Sequence, residues 1–209
     1  VKPQEPKPQD TGAPKGFPEP WKITKIGRGD GKIVQYQINR SEITPAKALF
    51  EYNGVFTIEA TGAIQDAKDD IFFLYQKWSE QSGSGKIVAK FAQLPNGFGG
   101  VMFRETLNPD SRFVMIEKHR ILYREKTGGR IFDTPIVGER EQVMGLKMVR
   151  KGFGFICMCS INTPGEFNYS QNLPVPLPLG GYAGFAAGTI KTTVEVGISY
   201  KDAGQIVHP

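Results

Sequence analysis

From Trp21 onward, apolar and polar residues alternate with a period of two, and glycine-rich segments interrupt the alternation. Half-buried antiparallel strands read this way, because successive side chains on a strand point to opposite faces. Ile87, Ala89 and Phe91 alternate with Lys86, Val88 and Lys90; Val194, Val196, Ile198 and Tyr200 alternate with Glu195, Gly197 and Ser199. Further strands are predicted over residues 32–38, 55–60, 71–78, 100–107, 112–118, 120–126, 143–150, 153–160 and 182–187. About a dozen strands close most readily as two packed sheets, so the predicted fold class is all-β, a two-sheet antiparallel β-sandwich. Helical spacing is nearly absent, and residues 44–52 offer the one short helix candidate.

Breakers fall where this pattern needs them: Gly29-Asp30-Gly31, Ser82-Gly83-Ser84-Gly85, Asn108-Pro109-Asp110 and Gly128-Gly129. Pro174, Pro176 and Pro178 forbid a central strand before Gly180-Gly181, so a surface crossing between sheets is expected there. Residues 1–20 differ in kind. Pro3, Pro6, Pro8, Pro14, Pro18 and Pro20 stand among Lys, Gln and Glu, with Phe17 the single large apolar side chain. Such a stretch cannot build a core and favours polyproline II, so the expected organisation is an extended arm over 1–20 and a sandwich domain over 21–209. Pro3, Pro6, Pro8 and Phe17 are its candidate partner-binding residues.

The chain has 209 residues with 39% hydrophobic and 22% charged content, enough for an ordinary core and too polar for a membrane span. Any membrane association is therefore expected to be peripheral, through a partner. A net charge of +5 permits contact with nucleic acid or anionic lipid, but the basic residues are interspersed with acidic ones, and nucleic acid is not the expected partner. The sequence starts at Val1 rather than Met. Either a leader has been removed or the chain is part of a longer one; the first is preferred, giving an exported, periplasmic or extracellular location. Cys157 and Cys159 are two apart on one strand face, where a mutual disulfide would be strained, and no histidine pair accompanies them for zinc. They read as small apolar residues, and no cofactor is called for.

At this point a longer pattern is visible. Gly54-Val55-Phe56-Thr57-Ile58, Gly62, Asp69-Asp70-Ile71-Phe72-Phe73-Leu74-Tyr75, Gly85-Lys86-Ile87-Val88-Ala89-Lys90 and Gly100-Val101-Met102-Phe103-Arg104-Glu105 follow in order. Arg112-Phe113-Val114-Met115, Tyr123-Arg124 with Gly128-Gly129, Leu146-Lys147-Met148-Val149-Arg150 with Phe153, and Tyr182-Ala183-Gly184-Phe185-Ala186 continue it. The series, spanning about Trp21 to Tyr200, resembles the small bacterial concanavalin-A-like or laminin-G-like jelly-roll domains. The resemblance implies two curved antiparallel sheets and an accessory module that binds sugars or proteins at or outside the cell surface; function does not follow from the fold. One segment departs from the pattern. Where these domains have an Asp-Gly-x-x-Trp turn, this chain has Pro164-Gly165-Glu166-Phe167-Asn168-Tyr169, without the tryptophan.

Glycan cleavage on such a fold needs two carboxylates a few ångströms apart, and no Glu-x-Asp-x-x-Glu string supplies them. The acidic clusters are Asp66, Asp69 and Asp70, read as turn chemistry with calcium ligation as the alternative, and Glu139 with Glu141. If Val101, Phe103 and Leu107 face the core, Glu105 does too, and it would need Arg124 or Arg150 as partner. Arg120, Leu122, Arg124 and Lys126 share a strand face with Arg112 and Lys118 nearby, a candidate basic stripe for an acidic partner or an anionic glycan against the plainer reading of a solvated face. Tyr36, Tyr75, Trp78 and Tyr123 are candidates for stacking on sugar rings if they lie on an open sheet; otherwise they are core. His119 and His208 are isolated, and Gly27-Arg28-Gly29-Asp30-Gly31 lacks the strand–loop–helix setting of a phosphate loop.

Three functions survive. First stands a non-catalytic recognition or assembly subunit that docks on a larger protein complex through its sandwich surface and arm. Next is a glycan-binding module, and last a glycoside hydrolase or lyase.

Overall fold

The structure is a computed structural model and describes residue 17 and residues 19–40, 49–78, 84–91, 96–163 and 165–201. Among these, fourteen strands follow one another: β1 (Lys22–Ile26), β2 (Asp30–Arg40), β3 (Leu49–Thr61), β4 (Ala63–Ile64), β5 (Asp69–Trp78), β6 (Ser84–Phe91), β7 (Asn96–Arg104), β8 (Phe113–Glu117), β9 (Arg120–Arg124), β10 (Phe132–Pro135), β11 (Val143–Lys151), β12 (Gly154–Ile161), β13 (Tyr169–Leu173) and β14 (Gly181–Lys201). Every pairing is antiparallel. The fold is all-β, a sandwich of jelly-roll type. No helix among the described residues is long and apolar enough to cross a membrane. The helix considered over 44–52 is overturned at its end, where Leu49–Tyr52 lie in β3 opposite Lys201–Ile198 of β14. The proline arm expected over 1–20 lies almost wholly outside the described residues.

One strand builds both layers. β14 is 21 residues long. Residues 181–187 run between β5 and β7, and residues 194–200 run between β3 and β6. The first sheet is ordered β10-β9-β8-β7-β14-β5-β1, with β4 hairpinned onto β5; the second is ordered β2-β3-β14-β6-β11-β12-β13. Where the strand changes sheets, its register with β7 slips between Ala187 and Ile190, the local irregularity that turns a corner. Gly188 permits the close passage there: a Cβ would stand 2.7 Å from the Gly62 carbonyl oxygen.

The main core fills the space between the sheets. Phe72, Leu74, Val101, Phe103, Val114, Ile116 and Phe185 from the first meet Phe56, Ile58, Ile87, Phe91, Leu146, Met148, Cys157, Cys159, Val194 and Val196 from the second. Each such large side chain contributes about 1.5–3 kcal/mol by leaving water. Both cysteines are free and fully buried here. Burial pushes the Cys157 thiol up to about 12 and the Cys159 thiol up to about 11.

The first sheet is also apolar on its other face. Ile71, Phe73, Tyr75, Met102, Phe113, Met115, Leu122 and Ala186 form a second core, on which Ile64 of β4 and Leu107 and Ile131 from the loops after β7 and β9 pack. Thus the loops between β4 and β5, β7 and β8, and β9 and β10 fold over this sheet. A buried ion cluster fastens them. Arg124 Nη2 lies 2.8 Å from Asp69 Oδ1 and Arg104 Nη1 lies 3.3 Å from Asp69 Oδ2, with all three side chains 0% exposed. Arg124 also donates to the carbonyls of Gln65, Pro109, Ser111 and Gly129, one or more from each covering loop. Burial raises Asp69 against the pull of Arg104 and Arg124, and burial lowers Arg104 to about 10.

This cluster corrects two expectations. Asp69 is no calcium ligand, because two guanidiniums take its oxygens; its former companions Asp66 and Asp70 accept from the Ile131 amide and from Arg28. No group of three or more metal-binding side chains occurs among the described residues. The inward charge at the end of β7 is Arg104, not Glu105: Val101 and Phe103 face the main core, so Met102 and Arg104 face the second, and the strand ends before Glu105. Glu105 pairs instead with Arg112 at 2.6 Å.

Candidate functional site

With loops closing the outer face of the first sheet, the outer face of the second is left open by the described residues. It is built by strands whose alternation is clean. On β6, Ile87, Ala89 and Phe91 enter the core, which leaves Lys86, Val88 and Lys90 outside. Register carries the pattern to the neighbours: Lys90 lies opposite Glu195, Val88 opposite Gly197 and Lys86 opposite Ser199 on β14, while Lys147 of β11 lies opposite Val88 on the other side.

These residues line a cleft of 310 Å³ whose floor passes through Val88, Gly197 and Ser199 and whose rim carries Lys86, Lys90, Lys147, Glu195 and Phe167. Phe167 comes from the loop between β12 and β13. It reaches the sheet because Gly145, beside the β11 bulge, has no side chain; a Cβ there would stand 3.3 Å from the phenylalanine ring. The Lys147 ammonium sits 5.3 Å from the centre of that ring, a cation–π contact that holds both side chains at the rim. Among the described residues, Lys86, Lys90 and Lys147 enter no ion pair, and neither does Glu195. Lys86 and Lys90, four apart on one strand, are separated by about 13 Å along it, with Lys147 between them on the adjacent strand. Among the described residues the face therefore presents three ammonium groups outside any ion pair, that of Lys147 resting against Phe167, and one carboxylate, over a floor of Val88, Gly197 and Ser199. It can hold an extended ligand by charge and hydrogen bonds.

Most residues singled out from sequence lie elsewhere. Pro3, Pro6 and Pro8 are outside the described residues. Phe17, expected to meet a partner, packs edge-on against Tyr36 at 5.2 Å and near Phe56 at 6.3 Å, because the large apolar ring covers the end of the core beside β2. The basic stripe is broken by internal pairing. Arg124 is wholly buried, Arg120 is held by Glu117 at 2.9 Å and Asp133 at 2.8 Å, and Arg112 is held by Glu105. The hydrogen bonds that Arg112 and Arg120 donate to these acids raise both above their ordinary range. Lys126 remains exposed on the turn after β9.

None of the four aromatics expected to stack on sugars lies on the open face. Trp78 is 2% exposed and meets Phe103 edge-on in the main core. Tyr75 stacks on Phe73 in the second core, Tyr123 stacks on Phe132, and Tyr36 meets Phe17. All four point into apolar layers because their strand phase matches that of their core neighbours. Glu139 and Glu141 lie exposed on the turn before β11.

No protein-family model matches the chain, and no curated protein matches it. Among solved structures it is similar to a functionally unknown protein from Saccharomyces cerevisiae, at TM-score 0.48 and 11% identity over 82% of this chain and 93% of the other. It is also similar to the exoplasmic/lumenal domain of VIP36 bound to calcium and a mannose-containing glycan, at TM-score 0.44 and 9% identity over 90% of this chain and 85% of that one. A third similar structure is the family 11 carbohydrate-binding module of a cellulosomal cellulase from Clostridium thermocellum, at TM-score 0.35 and 10% identity over 90% of this chain and 91% of that one.

Proposed function

We propose that this chain is a non-catalytic glycan-recognition module that binds its ligand in the cleft on the outer face of the second sheet. The observation that carries the reading is the contrast between the two outer faces. One is sealed by loops over a second core, and the other keeps a 310 Å³ cleft whose charged lining residues enter no ion pair among the described residues. That volume is at the lower end of ligand sites, which run from about 300 to 1,000 Å³. A glycine on the floor lets a ring approach the backbone. A binding rather than cleaving role is supported by the acids present: among the described lining residues Glu195 is the one carboxylate, whereas glycoside hydrolysis uses a pair about 5–9.5 Å apart. The exported location expected from the sequence belongs to the same proposal.

The test fills the cleft without altering charge. Gly197→Ile keeps a strand-compatible residue and places a side chain on the floor. Affinity electrophoresis through gels containing single polysaccharides should show at least one that retards the wild-type protein and not the variant. Failure of every polysaccharide to retard the wild type, or equal retardation of both proteins, would refute the assignment.

A further inference from the structure

Resting on that reading, we infer that the glycan is acidic, a polysaccharide carrying carboxylate or sulfate groups along its length. The rim holds three ammonium groups, Lys86, Lys90 and Lys147, none of them in an ion pair among the described residues, against the single carboxylate of Glu195. Elsewhere among the described residues several basic side chains are paired with acids, Lys25 with Asp30, Lys32 and Lys191 with Glu59, Arg120 with Glu117 and Asp133, while others, such as Lys22, Lys77 and Arg140, enter no ion pair. The cleft differs in gathering three unpaired ammonium groups around one concave site. Glu195 stands directly across from Lys90 and still makes no pair with it. An excess of free positive charge around a concave site concentrates anions there and complements an anion once bound.

The rest of the rim separates an acidic sugar chain from other ligands. A neutral glycan is usually held by an open aromatic face, but the aromatic at this rim, Phe167, has Lys147 at 5.3 Å from its ring centre. Single-stranded nucleic acid needs successive stacking platforms as well as a basic groove, and the lining supplies one ring. An acidic protein would meet lysines at the centre of its footprint, whereas protein interfaces are depleted of lysine there. Glu195 fits a sugar in particular. It accepts hydrogen bonds from hydroxyl groups and repels a neighbouring anion, so it fixes where along the chain the acid groups fall. Lys86, Lys147 and Lys90 in turn span more than one ring, so the ligand is a polymer segment rather than a single residue.

The experiment uses the wild-type chain, the triple variant Lys86→Gln/Lys90→Gln/Lys147→Gln, and Lys22→Gln/Lys77→Gln as a control at exposed lysines away from the cleft. Each is titrated by affinity electrophoresis and calorimetry against polygalacturonate, alginate and heparin as acidic probes. Mannan, xylan and hydroxyethylcellulose serve as neutral probes, and polyglutamate and an oligothymidylate as polyanions without the acidic-sugar chemistry. At least one acidic polysaccharide should bind. The triple variant should bind it on the order of ten-fold or more weakly, the control like wild type, and the difference should shrink as salt screens the charges. Preference for uronate over sulfate, or the reverse, then names the acid group. Binding of neutral glycans with no gain for acidic ones overturns this inference and leaves the glycan reading standing; binding of no glycan at all overturns both. Equal binding of polyglutamate or oligothymidylate with the same lysine dependence also overturns it, since the cleft would then read charge alone.

Discussion

Asp69 is the carboxylate on which the closed face of the protein depends. Its two oxygens hold Arg124 at 2.8 Å and Arg104 at 3.3 Å, and no member of the trio is exposed. Two positive charges and one negative already leave the cluster with an excess of one. Replacing Asp69 with Asn removes the counter-charge and leaves two guanidiniums buried side by side, the case in which breaking a buried ion pair costs about 3–5 kcal/mol. Against a total stability of about 5–15 kcal/mol, that is a large share. At about 2–4 °C per kcal/mol for a domain of this size, the melting temperature should fall by roughly 6–20 °C. Arg104→Met is the informative partner, because it leaves the 2.8 Å Arg124–Asp69 pair with balanced charge, so it should cost less than Asp69→Asn. Urea unfolding with fluorescence detection measures both. Hydrogen exchange should show protection lost first in residues 62–68, 105–112 and 125–131, which Arg124 ties together. An Asp69→Asn protein within about 1 kcal/mol of wild type, or a larger loss for Arg104→Met, would refute the reasoning.

Other consequences are equally measurable. Because burial pushes Cys157 up to about 12 and Cys159 up to about 11 from an ordinary 9.0, both stay protonated and should resist iodoacetamide at pH 8 until urea unfolds the protein. The same shifts make folding stability present below about pH 9 and progressively lost as pH rises through 11 and 12. Cys157→Ala/Cys159→Ala should flatten that alkaline loss, and an unchanged slope would count against the assignment. Gly188→Val should cost about 1–3 kcal/mol by overpacking the corner, read as a lower urea midpoint at unchanged slope. Phe17→Ala should cost about 2 kcal/mol, roughly half of a fully buried phenylalanine's ~3–5 kcal/mol, while leaving glycan binding unaltered; a loss of binding with no loss of stability would restore Phe17 to a partner site.

The alternation of residues was enough to read the sandwich, most of its strands and the phase of β6 and β14. What it could not show was that residues 182–187 and 194–200 are one strand, because Gly188-Thr189 reads as an ordinary break and the corner is made by a long-range approach to Gly62. The short edge strands β1, β4, β10 and β13 were missed for a related reason. Their burial is set by a neighbour on one side only, and runs such as Phe132–Pro135 contain a proline that is tolerated at an edge. The basic stripe failed because sequence proximity shows which side chains share a strand face but not what folds over that face. Arg124 is 55 residues from the carboxylate that claims it.

The signal that distinguishes the two outer faces was nevertheless in the chain. Ile71-Phe72-Phe73-Leu74-Tyr75 and Phe113-Val114-Met115-Ile116 are apolar at every position, so their strands have no face suited to water, and a second covering layer is required. Lys86-Ile87-Val88-Ala89-Lys90 turns Lys86 and Lys90 outward on either side of Val88, so its outer face stays wet. A sandwich with one strand set of each kind must seal one outer face and expose the other. The aromatic at the cleft could not be read the same way. Phe167 arrives from a loop, in the segment that lacks the expected tryptophan, and its ring lies close beside Gly145, where a Cβ would stand 3.3 Å away.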